Sequence, residues 1–130
     1  PDSEVNTLHQ LMNLKLVRTA SVVISSGTAL SGAVTLLGMS PVRIENGAIW
    51  KGKASVAFRV SEDGTTYKDL YEEDGTIYSV PMATSHAVQI DPQKIDGVQY
   101  LKLRAVLATT GLTALAQDKH VTLTVAYKLL

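Results

Sequence analysis

The stretch that decides the fold runs from residue 54 to residue 80 and reads ASVAFRVSEDGTTYKDLYEEDGTIYSV. Its first part alternates strictly, with Val56, Phe58 and Val60 separated by small or charged residues. This is the period of a β-strand that buries one face. Asp-Gly then occurs at residues 63–64 and again at 74–75, and this dipeptide is the strongest short-range signal for a turn between two strands. The stretch therefore predicts a series of hairpins whose acidic residues lie at the tips.

The same alternation recurs along the chain, as in YLKLRA at residues 100–105 and HVTLTVAYK at residues 120–128. Turn-forming runs such as SSGT, ENG and TTG separate these segments. The pattern predicts an all-β fold, an antiparallel β-sandwich that is jelly-roll-like and has about eight or nine short strands. Weaker strand candidates are residues 22–25, 33–37, 42–45, 67–71, 76–80 and 87–90.

One short helical turn is predicted in DPQKIDG, residues 91–97. Asp91 is a suitable N-cap, and Pro92 fits the first helical position because its missing N–H has no helical partner there. Gly97 is suited to end the turn, and Ile95 is expected to point into the core.

The predicted domain organisation is a β-sandwich over residues 21–130, preceded by residues 1–20 as an N-terminal arm or first strand. Within that first segment, Leu8, Leu11 and Met12 have helical spacing, whereas Leu14 and Leu16 fit a strand. Two interpretations stay open. The segment is either a first strand with a frayed end, or an apolar arm that leaves the domain and packs on a neighbouring subunit.

Composition limits the classes of function. The chain has 130 residues, with 12 basic and 12 acidic side chains and no cysteine. The balanced charge predicts no general attraction to nucleic acid or to an anionic membrane. Without cysteine there is no disulfide framework or thiolate metal site. No apolar run is long enough to span a bilayer. The N-terminus has no basic region followed by an apolar core, so no signal for export is predicted.

The acidic tract and the three histidines are the candidate sites for metal or catalysis. Calcium is the functional alternative for the tract, because it binds carboxylate and carbonyl oxygens. The spacing of SEDGTTYKDLYEEDG matches no calcium loop, however, so hairpin tips are favoured. His9, His86 and His120 have no partner at ligand spacing, and no hydrolase, metalloprotease or nucleotide-binding motif occurs. The sequence thus predicts a protein that is not an enzyme, with no cofactor and no metal site.

Four aromatic residues form a second candidate site. Trp50, together with Tyr67, Tyr71 and Tyr78, is a possible platform on which a sugar ring stacks. The competing interpretation is that Trp50 caps the end of the sandwich or lies in a protein interface, where tryptophan is enriched. On the second interpretation Trp50 is a partner-binding residue.

Three segments of the chain together resemble a family of small virion proteins of tailed bacteriophages. They read SGTALSGAVTLLG at residues 26–38, FRVSEDGTTYKDLYEEDG at residues 58–75 and IDPQKIDGVQYLKLRA at residues 90–105. The resemblance extends over residues 20–127. The matching residues are Ser26, Gly27, Leu30, Ser31, Ala33, Val34, Phe58, Val60, Ser61, Asp63, Gly64, Thr65, Tyr67, Asp69, Leu70, Tyr71, Asp74, Gly75, Asp91, Pro92, Gly97, Tyr100, Leu101, Lys102, Leu103 and Arg104.

This resemblance implies a structural protein that decorates and cements the capsid shell, with the major capsid protein as partner. The expected location is the outer capsid surface of a virion assembled in the host cytoplasm. A homodimer is expected, because a closed two-fold dimer matches two-fold positions on a shell. Partner contacts are expected from the arm, through Val5, Leu8, Leu11 and Met12, and from Trp50. The alternative is a carbohydrate-binding β-sandwich on a phage tail or surface appendage.

Overall fold

Nine strands and one 3₁₀ turn make up the regular structure of the residues that the computed structural model describes, which are 17–47, 49–51, 54–107 and 113–129. The predicted all-β class and strand number are confirmed. Within these residues, no helix is long and apolar enough to cross a bilayer. The strands are β1 (Arg18–Ile24), β2 (Leu30–Thr35), β3 (Ser40–Asn46), β4 (Ala54–Ser61), β5 (Lys68–Asp69), β6 (Ser79–Pro81), β7 (Ala87–Gln89), β8 (Tyr100–Leu107) and β9 (Val121–Lys128).

The strands form one curled antiparallel path in the order β5-β4-β8-β2-β1-β9-β3-β7, and β6 also pairs with β4. β1 and β2 are paired only at Ile24 and Ser31, so the path divides there into two layers. The first layer is β7-β3-β9-β1, and the second is β2-β8-β4 with β5 and β6 along the outer edge of β4. This is the antiparallel sandwich that the alternation predicts.

The core lies between the two layers and is built from the apolar half of each alternating strand. Phe58 of β4 and Leu103 of β8 lie opposite each other, and both are fully buried, as are Ile44 and Leu123 from the other layer. The Phe58 ring stacks on Tyr78 with centroids 5.2 Å apart and planes 17° apart. Because β4 and β8 pair through all eight residues of each strand, they hold the centre of the second layer.

The predicted helical turn is confirmed at Pro92–Ile95. The Asp91 side chain accepts a hydrogen bond from the backbone N–H of Gln93 at 3.1 Å, as an N-cap does. Ile95 is fully buried, and Gly97 follows with a φ of +78°, a value that glycine adopts without a Cβ clash.

The predicted boundary between residues 20 and 21 falls inside β1, because this strand begins at Arg18. The sandwich therefore takes in the last residues of the predicted arm. Most of that segment, residues 1–16, lies outside the described residues, and the choice between arm and first strand stays a prediction there.

Candidate functional site

The first acidic tip joins β4 to β5, which pair in antiparallel fashion. The Asp63 carboxylate accepts hydrogen bonds from the backbone N–H groups of Thr65 and Thr66, at 2.8 and 2.9 Å, and from the Ser61 hydroxyl at 2.9 Å. These hydrogen bonds hold the pKa of Asp63 below its ordinary value of 3.8, and the bond from the Thr66 N–H has the largest effect. Gly64 has a φ of +78° and lies against the Tyr100 ring, which a Cβ would approach to 3.4 Å. The carboxylate shapes the turn.

The second tip has the same construction. Its stem is closed by antiparallel pairing of Tyr71 with Ile77 and by a bond from the Glu72 N–H to the Thr76 carbonyl at 2.7 Å. The Asp74 carboxylate accepts from the hydroxyl and the N–H of Thr76, at 2.6 and 3.0 Å. The hydroxyl bond is the main reason that the pKa of Asp74 is lowered from 3.8. The prediction of two hairpin tips is confirmed.

Replacing both turn carboxylates, as Asp63→Asn with Asp74→Asn, is expected to flatten the acid limb of the stability profile. A carboxyl group whose pKa is lower in the folded protein stabilises the fold above its unfolded-state pKa, and this contribution is lost as pH falls through the lowered value. The melting temperatures of wild type and variant should therefore differ most above pH 3.8 and converge below it. Glu62→Gln with Glu73→Gln, in the same two tips, is the matched control. A gap that is constant with pH would contradict the assignment.

The second tip faces the helical turn, and a cleft of 570 Å³ lies between them, a volume typical of small-ligand sites. One ammonium and four carboxylates line it, so the excess charge is negative. Tyr71 stands at the cleft with 51% of its surface exposed. The lining residues are Leu70, Tyr71, Glu72, Glu73, Asp74, Tyr78, Asp91, Gln93 and Lys94.

Lys94 connects the two sides of the cleft. Its ammonium forms an ion pair with Glu72 of the hairpin tip and lies 5.3 Å from the centroid of the Tyr78 ring. The hydrogen bond to Glu72 is the main reason that the pKa of Lys94 is raised above 10.5. Burial is the main reason that the pKa of Tyr78 is raised above 10.0. Lys94 offers N–H donors, and the carboxylates around it offer acceptor oxygens. The arrangement is thus suited to binding a polar ligand through hydrogen bonds.

The four aromatic residues do not form the shared platform that was a candidate in the sequence. Trp50 is only 4% exposed, and its indole N–H donates to the Ala54 carbonyl at 3.0 Å. Tyr67 lies under the Lys102 ammonium, 4.5 Å from the ring centroid, away from the cleft that Tyr71 and Tyr78 line. The buried Trp50 ring has no open face for a sugar, because its apolar surface already packs in the core.

The other candidate residues are dispersed. His86 and His120 are exposed and directly precede β7 and β9, and the Nδ1 atom of His120 accepts from the Ser26 N–H at 3.1 Å. His9 and the predicted contact residues Val5, Leu8, Leu11 and Met12 lie outside the described residues. In the part of the chain that the structure covers, no three acidic or histidine side chains are grouped to hold a metal ion.

Two polar contacts were missed by sequence reasoning. Gln93 and Lys94 reach the cleft from a turn about twenty residues downstream of the hairpin tip, and only the fold brings the two together. On the outer face of the second layer, Asp69 lies 3.3 Å from Arg59 and 3.8 Å from Arg104. The antiparallel register, in which Arg59 is opposite Asp69, is the signal that would have revealed this cluster.

Comparisons with known proteins give no match to a family model and none to a curated protein. Among solved structures, the chain is similar to CBM32-1 from a family 31 glycoside hydrolase of Clostridium perfringens, with 18% identity and a TM-score of 0.43 over 86% of this chain and 76% of that chain. It is also similar to a Bacillus endospore appendage, described as belonging to a novel family of disulfide-linked pili, with 16% identity and a TM-score of 0.32 over 91% and 93% of the two chains. Neither similarity is close enough to carry an argument about this chain.

Proposed function

We propose that this chain is a structural virion protein that decorates and cements the capsid shell of a tailed bacteriophage, binding at seams between major capsid protein subunits. The observation that supports this is the role of the residues shared with that family. Asp63, Asp74 and Asp91 each accept a hydrogen bond from a backbone N–H that follows them. These shared residues therefore shape three turns of the fold. This is the role expected of motifs that are common to a family of stiff structural subunits.

The physical demands of cementing suit such a subunit. A rigid sandwich loses little conformational entropy on binding, so weak contacts suffice when a dimer engages two sites at once. In the proposal the apolar side chains Val5, Leu8, Leu11 and Met12 supply the contact with the shell, because removing apolar surface from water is the dominant favourable term in most protein–protein association. The domain then positions this segment over a seam on the outer capsid surface.

Deleting residues 1–13 is expected to abolish attachment to the shell while the domain stays folded. The measurement is co-sedimentation with empty shells, with far-UV circular dichroism and the melting temperature as tests of folding. A finer variant replaces Leu8, Leu11 and Met12 with serine, and Asn6→Ser with Asn13→Ser is its matched control within the same segment. Unchanged co-sedimentation of the deletion variant would refute the arm, and failure of the intact chain to sediment would refute the proposed function.

A second candidate function is carbohydrate binding, and the cleft beside Tyr71 favours it. Sugars are bound by an aromatic face together with carboxylate and amide groups that hydrogen-bond hydroxyls. The cleft offers the exposed Tyr71 ring beside Glu73, Asp91 and Gln93.

If this second function holds, Tyr71→Ala should weaken glycan binding by about three- to tenfold, the worth of one aromatic stacking contact. Tyr67→Ala is the control, because Tyr67 lies outside the cleft. A glycan array identifies a ligand, and titration calorimetry compares the variants. Equal binding by wild type and Tyr71→Ala would exclude the cleft, and an empty array with wild type would count against the function itself.

A further inference from the structure

Among the described residues, one edge of β1 is paired only at its last residue. Along one side it pairs with β9 through every residue from Arg18 to Ile24, without a shift in register. Along the other side, only Ile24 is paired, with Ser31 of β2. Within the described residues, Arg18–Val23 therefore has no partner strand on that side. In an antiparallel ladder alternate residues direct their N–H and C=O groups to each side, so about half of the backbone groups of this stretch point outward, available for pairing.

The other strand edges carry features that prevent pairing with a further chain. β5 has two residues, Lys68 and Asp69, both charged. β7 has three residues, and β6 ends in Pro81, which has no N–H to donate. β2 has a register shift between Leu30 and Ala33. Short length, charge, proline and bulges are the recognised means by which edge strands are protected.

β1 lacks these protections. It is seven residues long and has the sequence RTASVVI, with one charge at its first residue and no proline or glycine. Its outward side chains are Thr19, Ser21 and Val23, and Val23 is 43% exposed. The outward hydroxyls of Ser21 and Thr124 on β9 are 3.2 Å apart. A regular, nearly uncharged edge of this length is a template for another strand.

We infer that β1 pairs with β1 of a second copy across a two-fold axis, which joins the two first layers into one continuous antiparallel sheet. The inference deepens the proposed function, because it names the surface through which the expected homodimer forms. The pairing of β1 itself does not depend on that function. The pattern of β1 is self-complementary. With Ser21 on the axis, Thr19 lies opposite Val23 of the second copy, a pair of β-branched side chains that favours a sheet. The pairing extends over residues 19–23, because Ile24 is already paired with Ser31 on this side. The two Arg18 side chains then lie just beyond opposite ends of the paired stretch and do not repel.

The register is tested by changing Thr19 and Val23 together. Thr19→Lys with Val23→Lys sets like charges opposite each other twice in the dimer and should weaken dimerisation about tenfold or more. Thr19→Lys with Val23→Glu sets opposite charges at the same two places and should restore it. In the monomer the two positions are four residues apart on one strand, too far for direct pairing. Sedimentation equilibrium gives the dissociation constants, and melting temperatures confirm that all variants fold.

A second measurement probes the axis directly, because the natural chain contains no cysteine. Ser21→Cys should form a crosslinked dimer on mild oxidation, whereas Thr122→Cys, on the same outer face of the adjacent β9, should not. A monomeric wild type at all concentrations overturns the inference, as does a dimer that tolerates Thr19→Lys with Val23→Lys. Attachment to empty shells is a separate readout, so loss of the dimer and failure of the proposed function are distinguished.

Discussion

Phe58→Ala is expected to lower the free energy of unfolding by about 3–5 kcal/mol. Phe58 is fully buried at the centre of β4 and stacks on Tyr78. Truncation removes apolar surface from the core and leaves a cavity that the paired strands on both sides cannot close. Loss of the stacking between Phe58 and Tyr78 adds to this cost, because an aromatic contact stabilises the fold by more than its buried area alone.

Urea unfolding followed by far-UV circular dichroism measures this effect as a lower midpoint with an unchanged slope. Ile49→Ala is the control, because Ile49 is 62% exposed and its truncation should change stability by less than about 0.5 kcal/mol. A loss below about 1 kcal/mol for Phe58→Ala would mean that the two layers do not close on this ring, and the sandwich would need another core.

The strands and turns of this fold are predictable from local sequence because each depends on a local rule. Alternation places Val56 and Phe58 on the inward face of β4, and Asp63 and Asp74 shape turns through bonds to residues two or three positions later. The capped turn at Asp91 follows from the same kind of short-range contact. Such features need no knowledge of which strand lies beside which.

The burial of outward residues on the central strands is not predictable in that way. Alternation expects Ser55 and Ala57 to face solvent, yet both are buried. Ala57 lies between Arg104 of β8 and Ser79 of β6, so a small side chain in mid-sheet lies lower than its longer neighbours. The strand order decides this, and strand order depends on contacts between residues far apart in the chain.

The cleft shows the same division. The sequence predicts its acidic half as a hairpin tip, from Asp74 and Gly75. Its other half consists of Gln93 and Lys94, which reach the cleft only because the helical turn packs against β3. The edge of β1 that is open among the described residues is likewise a property of topology, since the same RTASVVI sequence in mid-sheet would be paired on both sides. The cleft and the edge of β1 thus both depend on the strand order, which local patterns do not specify.

Trp50→Ala is expected to cost about 3–5 kcal/mol of stability, comparable to Phe58→Ala, although Trp50 lies in a loop. Its ring is part of the core cluster, and its backbone N–H donates to the Thr84 hydroxyl at 3.0 Å. The adjacent Lys51 N–H donates to the buried Gln117 side chain at 2.9 Å. The loop is thereby tied to two distant segments, and the indole anchors all three at one end of the sandwich.

Trp50→Phe separates the two contributions of this residue. It retains most of the buried surface but loses the bond to the Ala54 carbonyl, so a cost of about 1–3 kcal/mol is expected. Because Trp50 is the single tryptophan, wild-type fluorescence reports directly on its surroundings, and a blue-shifted emission that resists acrylamide quenching is expected. Quenching like that of free tryptophan, together with a neutral Trp50→Ala, would show an exposed indole. With an exposed indole, Trp50 would again be a candidate for stacking on a sugar, and loss of glycan binding on Trp50→Ala would mean loss of that stacking. With a buried indole, the same loss of glycan binding would mean that the variant has unfolded.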